Sequence, residues 1–223
     1  MSLYVVATPI GNLEDITLRA LRVLKEVSLI AAEDTRKTRR LLSAHDIHTP
    51  LTSYHEHSGR GKGQHILRVL LDNNDVALVS DAGTPGINDP GYPLIKAAIE
   101  EGIDVIPIPG PSAPLAALAV SGMPTHRFTY LGFLPRKKGE RHKVLASVGH
   151  EAGTLIMFES PHRLLKTLED LLEVLGDRRI TVCREMTKVF EEVYRGRVSE
   201  ALEYFTKPRG EFTLVVEGMA EKP

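Results

Sequence analysis

Val76-Ala77-Leu78-Val79 runs straight into Ser80-Asp81-Ala82-Gly83-Thr84-Pro85-Gly86-Ile87-Asn88-Asp89-Pro90-Gly91. The first four residues form an unbroken apolar run and read as a buried strand. The next twelve hold three glycines and two prolines, so neither helix nor strand continues through them. At the carboxyl end of a parallel strand, such a loop is where open α/β sheets bind ligands. Gly83 and Gly86 let a backbone approach a ligand closely, and Asp81 places a carboxylate beside them. One loop of this kind is equally an ordinary strand-to-helix connection. Its recurrence along the chain carries the reading.

Outward from this stretch, strands and helices alternate. Strands are expected over residues 3–7, 29–32, 51–54, 76–80 and 105–108, with helices over 17–26, 35–44, 64–71, 92–101 and 113–120. Leu18, Leu21, Val23 and Leu24 share one side of the first helix, with Asp15 or Thr17 as its cap. A β-α-β series of this kind implies a mostly parallel sheet with helices on its faces. Ser121-Gly122-Met123-Pro124-Thr125 punctuates the chain and predicts a boundary between domains 1–121 and 122–223. Beyond it, strands are expected over 128–131, 154–158, 180–184, 192–195 and 211–217, and helices over 141–147, 162–175 and 199–205. No long helix separates strands 180–184 and 192–195, which favours a mixed sheet. The expected fold is two α/β domains, the first mostly parallel and the second mixed.

Composition narrows the function classes. The chain has 223 residues, 42% hydrophobic and 26% charged, as an ordinary globular protein does. Its single cysteine, Cys183, excludes an internal disulfide framework and points to a reducing, cytoplasmic setting. No apolar stretch is long enough to span a membrane. Met1-Ser2-Leu3-Tyr4-Val5-Val6-Ala7 has no basic lead-in and reads as a strand, not a signal peptide. A net charge of −1 argues against a purely electrostatic nucleic-acid binder. Two basic clusters stand out nonetheless: Arg36, Lys37, Arg39, Arg40, and Arg136, Lys137, Lys138, Arg141, His142, Lys143. Either could track phosphates, and either could be a solvated helix start or loop.

Special loops follow the other predicted strands as well. They begin at Thr8-Pro9-Ile10-Gly11, Glu33-Asp34-Thr35-Arg36, Pro109-Gly110-Pro111-Ser112-Ala113, Gly132-Phe133-Leu134-Pro135, Glu159-Ser160-Pro161-His162-Arg163 and Arg184-Glu185-Met186-Thr187-Lys188. In parallel sheets these loops converge on one rim of each domain. None is a standard nucleotide signature. G-x-G-x-x-G after the first strand and G-x-x-x-x-G-K-[ST] are both missing, which disfavours dinucleotide dehydrogenases and P-loop enzymes. The absence of G-x-S-x-G disfavours an α/β-hydrolase. His55 and His57 flank Glu56, yet no Cys-x-x-Cys accompanies them, so no metal is expected.

Tyr4 through Asp15, Glu33-Asp34-Thr35-Arg36, Ser80 through Pro85, Pro109 through Ala113, Gly132 through Pro135 and Glu159 through Arg163, taken together and in order, resemble the tetrapyrrole-methylase-like class of S-adenosylmethionine-dependent methyltransferases. Within that class they are most similar to the branch that 2'-O-methylates a cytidine in the decoding region of 16S ribosomal RNA. The resemblance implies a cofactor cleft completed by the second domain, and a homodimer. By matched position it implies cofactor contacts from Pro9, Ile10, Asp81, Gly83, Thr84, Ser112, Ala113, Phe158, Arg184 and Thr213. It also implies ribosomal RNA, or the small ribosomal subunit, as partner.

The chemistry needed is an in-line methyl transfer, so holding acceptor and donor in near-attack geometry is the main task. A ribose hydroxyl is a poor nucleophile, and a positioned base helps. Candidate bases are Glu33, Asp34, Glu159, His162 and Glu185. Arg36, Arg163, Arg184 and Lys188 could bind phosphate or orient a base. Asp34 could equally cap the following helix, and Glu159 could simply pair with Arg163. Arg39, Arg40, Lys137, Lys138 and Lys143 are the candidate RNA contacts. Competing readings are C-methylation of a tetrapyrrole by the same fold, and a binding module without catalysis.

Overall fold

A computed structural model describes residues 1–55 and 60–219. The chain divides into two compact units, Met1–Ser112 and Ala113–Pro223.

The first unit is a five-stranded, wholly parallel sheet. Its strands are β1 (Ser2–Val6), β2 (Leu29–Ala32), β3 (Leu51–Ser53), β4 (Val76–Val79) and β5 (Asp104–Ile108), in the spatial order β3-β2-β4-β1-β5. Four helices connect them: α1 (Leu18–Glu26), α2 (Thr35–Ala44), α3 (Arg60–Leu71) and α4 (Tyr92–Glu100). The period of two sorts side chains between the faces. Ile30, Ala32, Ala77 and Val79 join Ala20, Val23, Leu24, Leu41 and Leu42 of α1 and α2. Ala31, Val76 and Leu78 join Ile66, Leu70, Leu94 and Ala98 of α3 and α4 on the other side. All four β4 residues are therefore buried, which explains its unbroken apolar run. Thr17 settles the cap of α1, its hydroxyl accepting from Ala20 N at 3.1 Å.

Strand order fixes where the sheet opens. The connection from β1 runs to one side over one face, and the connection from β4 runs to the other side over the opposite face. The point where the direction reverses lies between β1 and β4, and such reversals are where doubly wound sheets bind ligands.

The second unit has a mixed sheet of β6 (Phe128–Phe133), β7 (Thr154–Glu159), β8 (Arg179–Arg184), β9 (Glu192–Arg197) and β10 (Phe212–Val216), ordered β6-β7-β10-β8-β9. β6 and β7 are parallel, while β10 runs antiparallel to β7 and β8, and β9 antiparallel to β8. The carboxyl ends of β6, β7 and β8 thus share one edge. Helices α6 (Lys138–Ser147), α7 (Leu164–Leu175) and α8 (Val198–Tyr204) cover one face through Leu145, Leu164, Leu168, Leu171, Val198 and Ala201.

Helix α5 (Ala113–Ser121) corrects the expected boundary. The sequence places it at the end of the first domain, at 121–122, whereas the division falls at 112–113. Ala117 and Leu118 of α5 pack with Ile156, Cys183 and Val215 on the free face of the second sheet. An apolar helix follows whichever sheet buries it; the Gly-Pro punctuation after it is only a turn.

Candidate active site

In the first unit, the loops after β1 and β4 are joined at the reversal point. Thr8 N donates to Gly83 O and Gly83 N donates to Thr8 O, each at 2.9 Å. The Thr8 hydroxyl donates to Ser80 O at 3.1 Å. Gly83 has φ +77°, a conformation that glycine adopts without strain. A Cβ placed there would stand 3.7 Å from Ile10 Cγ2 and 3.9 Å from Pro111 O, so three loops meet at this residue. Gly110 lies so close to Ala7 that an added Cβ would come within 3.1 Å of the Ala7 Cβ. Pro9, Ile10, Gly83, Thr84 and Ser112, read from sequence as cofactor contacts, therefore lie on or beside loops of one rim. Ala113, also read as a contact, opens α5 in the second unit.

Carboxylates hold the neighbouring loops in register. Asp81 N donates to Glu33 Oε2 at 3.1 Å, and Asp34 N donates to Asp81 Oδ1 at 3.0 Å. Each acid caps a backbone amide of the other's loop. Lys37 Nζ closes the set on Asp81 Oδ2 at 2.7 Å. Asp34 is the N-cap of α2, accepting from Arg36 N at 2.8 Å. Its hydrogen bonds from the Arg36 side chain and amide hold its carboxyl down at about 2. Such a group is a feeble base at neutral pH. The candidate pair Asp34 and Arg36 is thus a helix cap and its ion pair, with the Arg36 side chain 86% exposed.

Sequence reasoning quoted Asp89 without giving it a role. Burial, together with the charges of Glu33 and Asp81, pushes its carboxyl up to about 6, against the opposing pull of Ser80 and Lys37. Among the described residues it is the one carboxyl with a resolved upward shift. The missed signal was Asn88-Asp89-Pro90-Gly91 itself: an acid held in a turn, closed by a glycine whose Cβ would stand 2.9 Å from Gly86 N.

In the second unit the rim is built from side chains. Phe158 lies between Tyr130 and Phe133, with both ring centroids 5.4 Å away. Thr213 pairs with Phe158 on one side and Cys183 on the other. Burial pushes the Cys183 thiol up to about 11, so it stays protonated. Arg184 donates to Arg209 O at 2.7 Å and pairs with Glu192 at 3.1 Å. Glu185 accepts from Lys188 at 3.0 Å and from Glu211 N at 2.8 Å.

Glu159 does not have the freedom of a base. Its side chain is fully buried; one oxygen accepts from Ser160 N, and the other accepts from the Thr167 hydroxyl and faces Arg163 at 3.3 Å. Arg163 in turn donates to Leu134 O at 2.7 Å. His162, beside it, is exposed.

The second basic cluster divides. Arg141 and Asp170 form a buried ion pair, and Arg141 Nη1 donates to Pro135 O and Arg136 O at 3.1 and 3.0 Å. His142 Nε2 meets Asp170 at 2.7 Å. Burial raises the Asp170 carboxyl, but the bonds to His142 and Arg141 outweigh it and hold the group below its usual range. Lys137 pairs with Glu140 and Lys138 with Glu173. Lys143, Arg39 and Arg40 are exposed. His142, Asp170 and Glu173 present ligand atoms within 4.8 Å of one another, but Arg141 and Lys138 already supply their countercharge. Of the His55-Glu56-His57 run, Glu56 and His57 lie outside the described residues. No helix among the described residues is long and apolar enough to cross a membrane.

One unit with a doubly wound parallel sheet and another with a mixed sheet, and Gly-Pro loops meeting at the first sheet's reversal point, make an architecture that also occurs in known methyltransferases. The family model of tetrapyrrole (corrin/porphyrin) methylases matches residues 2–202, and the chain belongs to this family. It is a methyltransferase. Proteins named ribosomal RNA small subunit methyltransferase I are its similar relatives. The one from Halalkalibacterium halodurans is 52% identical over 99% of this chain and 77% of its own length. The one from Thermotoga maritima is 51% identical over 97% of this chain and 98% of its own. The solved structure of the methyltransferase CobJ superposes with a TM-score of 0.73 at 19% identity, covering 100% of this chain and 96% of its own. That of uroporphyrin-III-C-methyltransferase from Thermus thermophilus gives 0.66 at 21%, covering 97% and 94%. These two share the fold.

Proposed function

We propose that this chain transfers a methyl group from S-adenosylmethionine to the ribose 2'-hydroxyl of a cytidine in the decoding region of 16S ribosomal RNA. The observation that carries the substrate class is the identity of about half over nearly the whole chain with relatives of that name. A tetrapyrrole acceptor finds support in the description of the family and in structures about 20% identical that share the fold.

The rim of the first unit suits the cofactor. Gly83, at a positive φ, ties the loops after β1 and β4 together, with the Ile10 side chain and the Pro111 carbonyl beside it. Asp81 keeps acceptor capacity beyond the two bonds it makes. Proposed contacts are Pro9, Ile10, Asp81, Gly83, Thr84, Ser112 and Ala113, and, from the second unit, Phe158, Arg184 and Thr213. S-adenosylmethionine supplies an activated methyl on a sulfonium sulfur. The chain's own work is to orient the acceptor and take up its proton. Asp89, with a carboxyl at about 6, is ionised at neutral pH yet basic enough to receive the 2'-hydroxyl proton. Glu33 and His162 are the alternatives that the geometry leaves accessible. Arg39, Arg40 and Lys143 are proposed phosphate contacts. Lys137 and Lys138 join them, since exposed pairs with Glu140 and Glu173 exchange readily for phosphate. The reading includes a cytoplasmic enzyme acting as a homodimer.

The test is methyl transfer from labelled S-adenosylmethionine to small ribosomal subunits from cells lacking this modification. Label at an alkali-resistant linkage of a cytidine is the expected result. Unlabelled RNA with intact cofactor binding by calorimetry would move the acceptor to a small molecule, and absent cofactor binding would overturn the site.

A further inference from the structure

We infer that a groove lined by Arg179, Arg195 and Arg197 at the far end of the β8–β9 hairpin is a second docking site for substrate RNA, binding its phosphate backbone away from the rim. The inference rests on the RNA reading above.

The groove encloses about 380 Å³ and is lined by these three arginines together with Ser121, Met123 and Thr181, among others. Arg179 stands directly opposite Arg197 in the antiparallel ladder, and Thr181 opposite Arg195. Opposed residues, and residues two apart along a strand, point to the same face. The intervening Ile180, Val182 and Tyr194 point the other way, into the core under α6, α7 and α8. Three guanidinium groups therefore converge on the α5 side, where α5 itself stops at Ser121.

Two of the three are held by backbone carbonyls. Arg195 donates to Val120 O, and Arg197 Nη1 to Asp177 O at 2.6 Å. Three carboxylates stand at the edge of the groove and offset part of its charge, with Glu217 in an ion pair with Arg179 and Asp177 drawn down by Ser199 and by the charge of Arg197. Glu200 accepts from Arg197 N at 2.8 Å, Asp177 accepts from Ser199, and Glu217 lies 3.8 Å from Arg179. Among the described residues, neither Arg195 nor Arg197 has an ion-pair partner.

Like charges directly opposite each other in a sheet destabilise it. Glu217 and Asp177 offset part of that cost at Arg179 and Arg197, and an anion across the pair would offset more of it. Guanidinium forks fit phosphate oxygens in bidentate fashion. The hairpin also sets the distance. Arg184 lies at the rim end of β8, five residues from Arg179, or about 17 Å at strand rise. A phosphate bound here belongs to a different part of the RNA from the reacting nucleotide. Contacts of this kind position a large substrate and appear in KM and in salt dependence.

Binding of a small-subunit RNA fragment should be titrated against salt for the parent, for the variant R179Q/R195Q/R197Q, and for the variant R179K/R195K/R197K. The glutamine variant is expected to lower the slope of log K against log salt by about 2 to 3 and to raise KM for RNA, with cofactor affinity unchanged. The lysine variant, which keeps the charges, should restore most of the slope; recovery separates lost phosphate contacts from lost folding. An unchanged slope in the glutamine variant overturns the inference. So does a shift in oligomeric state by sedimentation with RNA affinity intact, which would make the groove an interface between copies. If the parent binds no RNA, the RNA reading itself fails.

Discussion

The two rims reach comparable loop positions by different means. In the first unit the backbone does the shaping: Thr8 and Gly83 exchange amide hydrogen bonds, Gly83 takes a positive φ, and Gly110 presses on Ala7. In the second unit buried side chains do it. Glu159 orients Arg163, and Arg163 and Arg141 tie the carbonyls of Leu134, Pro135 and Arg136. The contrast changes what an acid can do. Glu159 has its oxygens occupied by protein donors, whereas burial, and after it the charges of Glu33 and Asp81, push Asp89 toward a neutral form. The glycine-shaped rim is held by backbone amides bonded to one another, the arginine-shaped rim by buried side chains.

The sharpest way to break the contrast is to remove one member of the second unit's buried pair. Arg141→Ala strands Asp170 and should cost about 3 kcal/mol in denaturant unfolding, at the low end because His142 and Lys138 stay close to it. The double variant R141A/D170A should recover part of that loss.

Asp89→Asn tests the first rim and should act in the opposite sense on stability. Methyl transfer should fall on the order of a hundredfold. A carboxyl raised from 3.8 to about 6 favours the folded state when protonated, so the parent loses stability as pH rises from about 4 through 6. The amide removes that loss, and thermal unfolding at pH 8 should show the variant at least as stable as the parent. A destabilised but active D89N protein would sink the proposed role.

Gly83→Ala should cost about 1–2 kcal/mol through its positive φ and should weaken cofactor binding by calorimetry. The smallest effect is expected from Asp34→Asn. Asparagine caps a helix as well as aspartate, so the transfer rate should stay close to the parent's; a large drop would restore Asp34 as a base.

Local rules made much of the molecule legible. Alternating apolar periods and Gly-Pro punctuation placed both sheets and their rim loops, because each depends on residues a few positions apart. The basic run 136–143 divides in a way that its sequence does not reveal: Arg141 and His142 turn inward to Asp170, while Lys143 stays exposed. Helix α5 misled: its apolar composition specifies burial without specifying against which sheet.

Strand and helix periods and turn chemistry are short-range, so residues a few positions apart specify the two α/β units, the parallel and mixed sheets, and the loops that end their strands. Which acids are caps, which are buried struts and which one is raised to about 6 depends on the folded packing. Those properties arise from partners 47 or 48 residues away, as Asp34 and Glu33 are from Asp81, and from burial that no local pattern encodes.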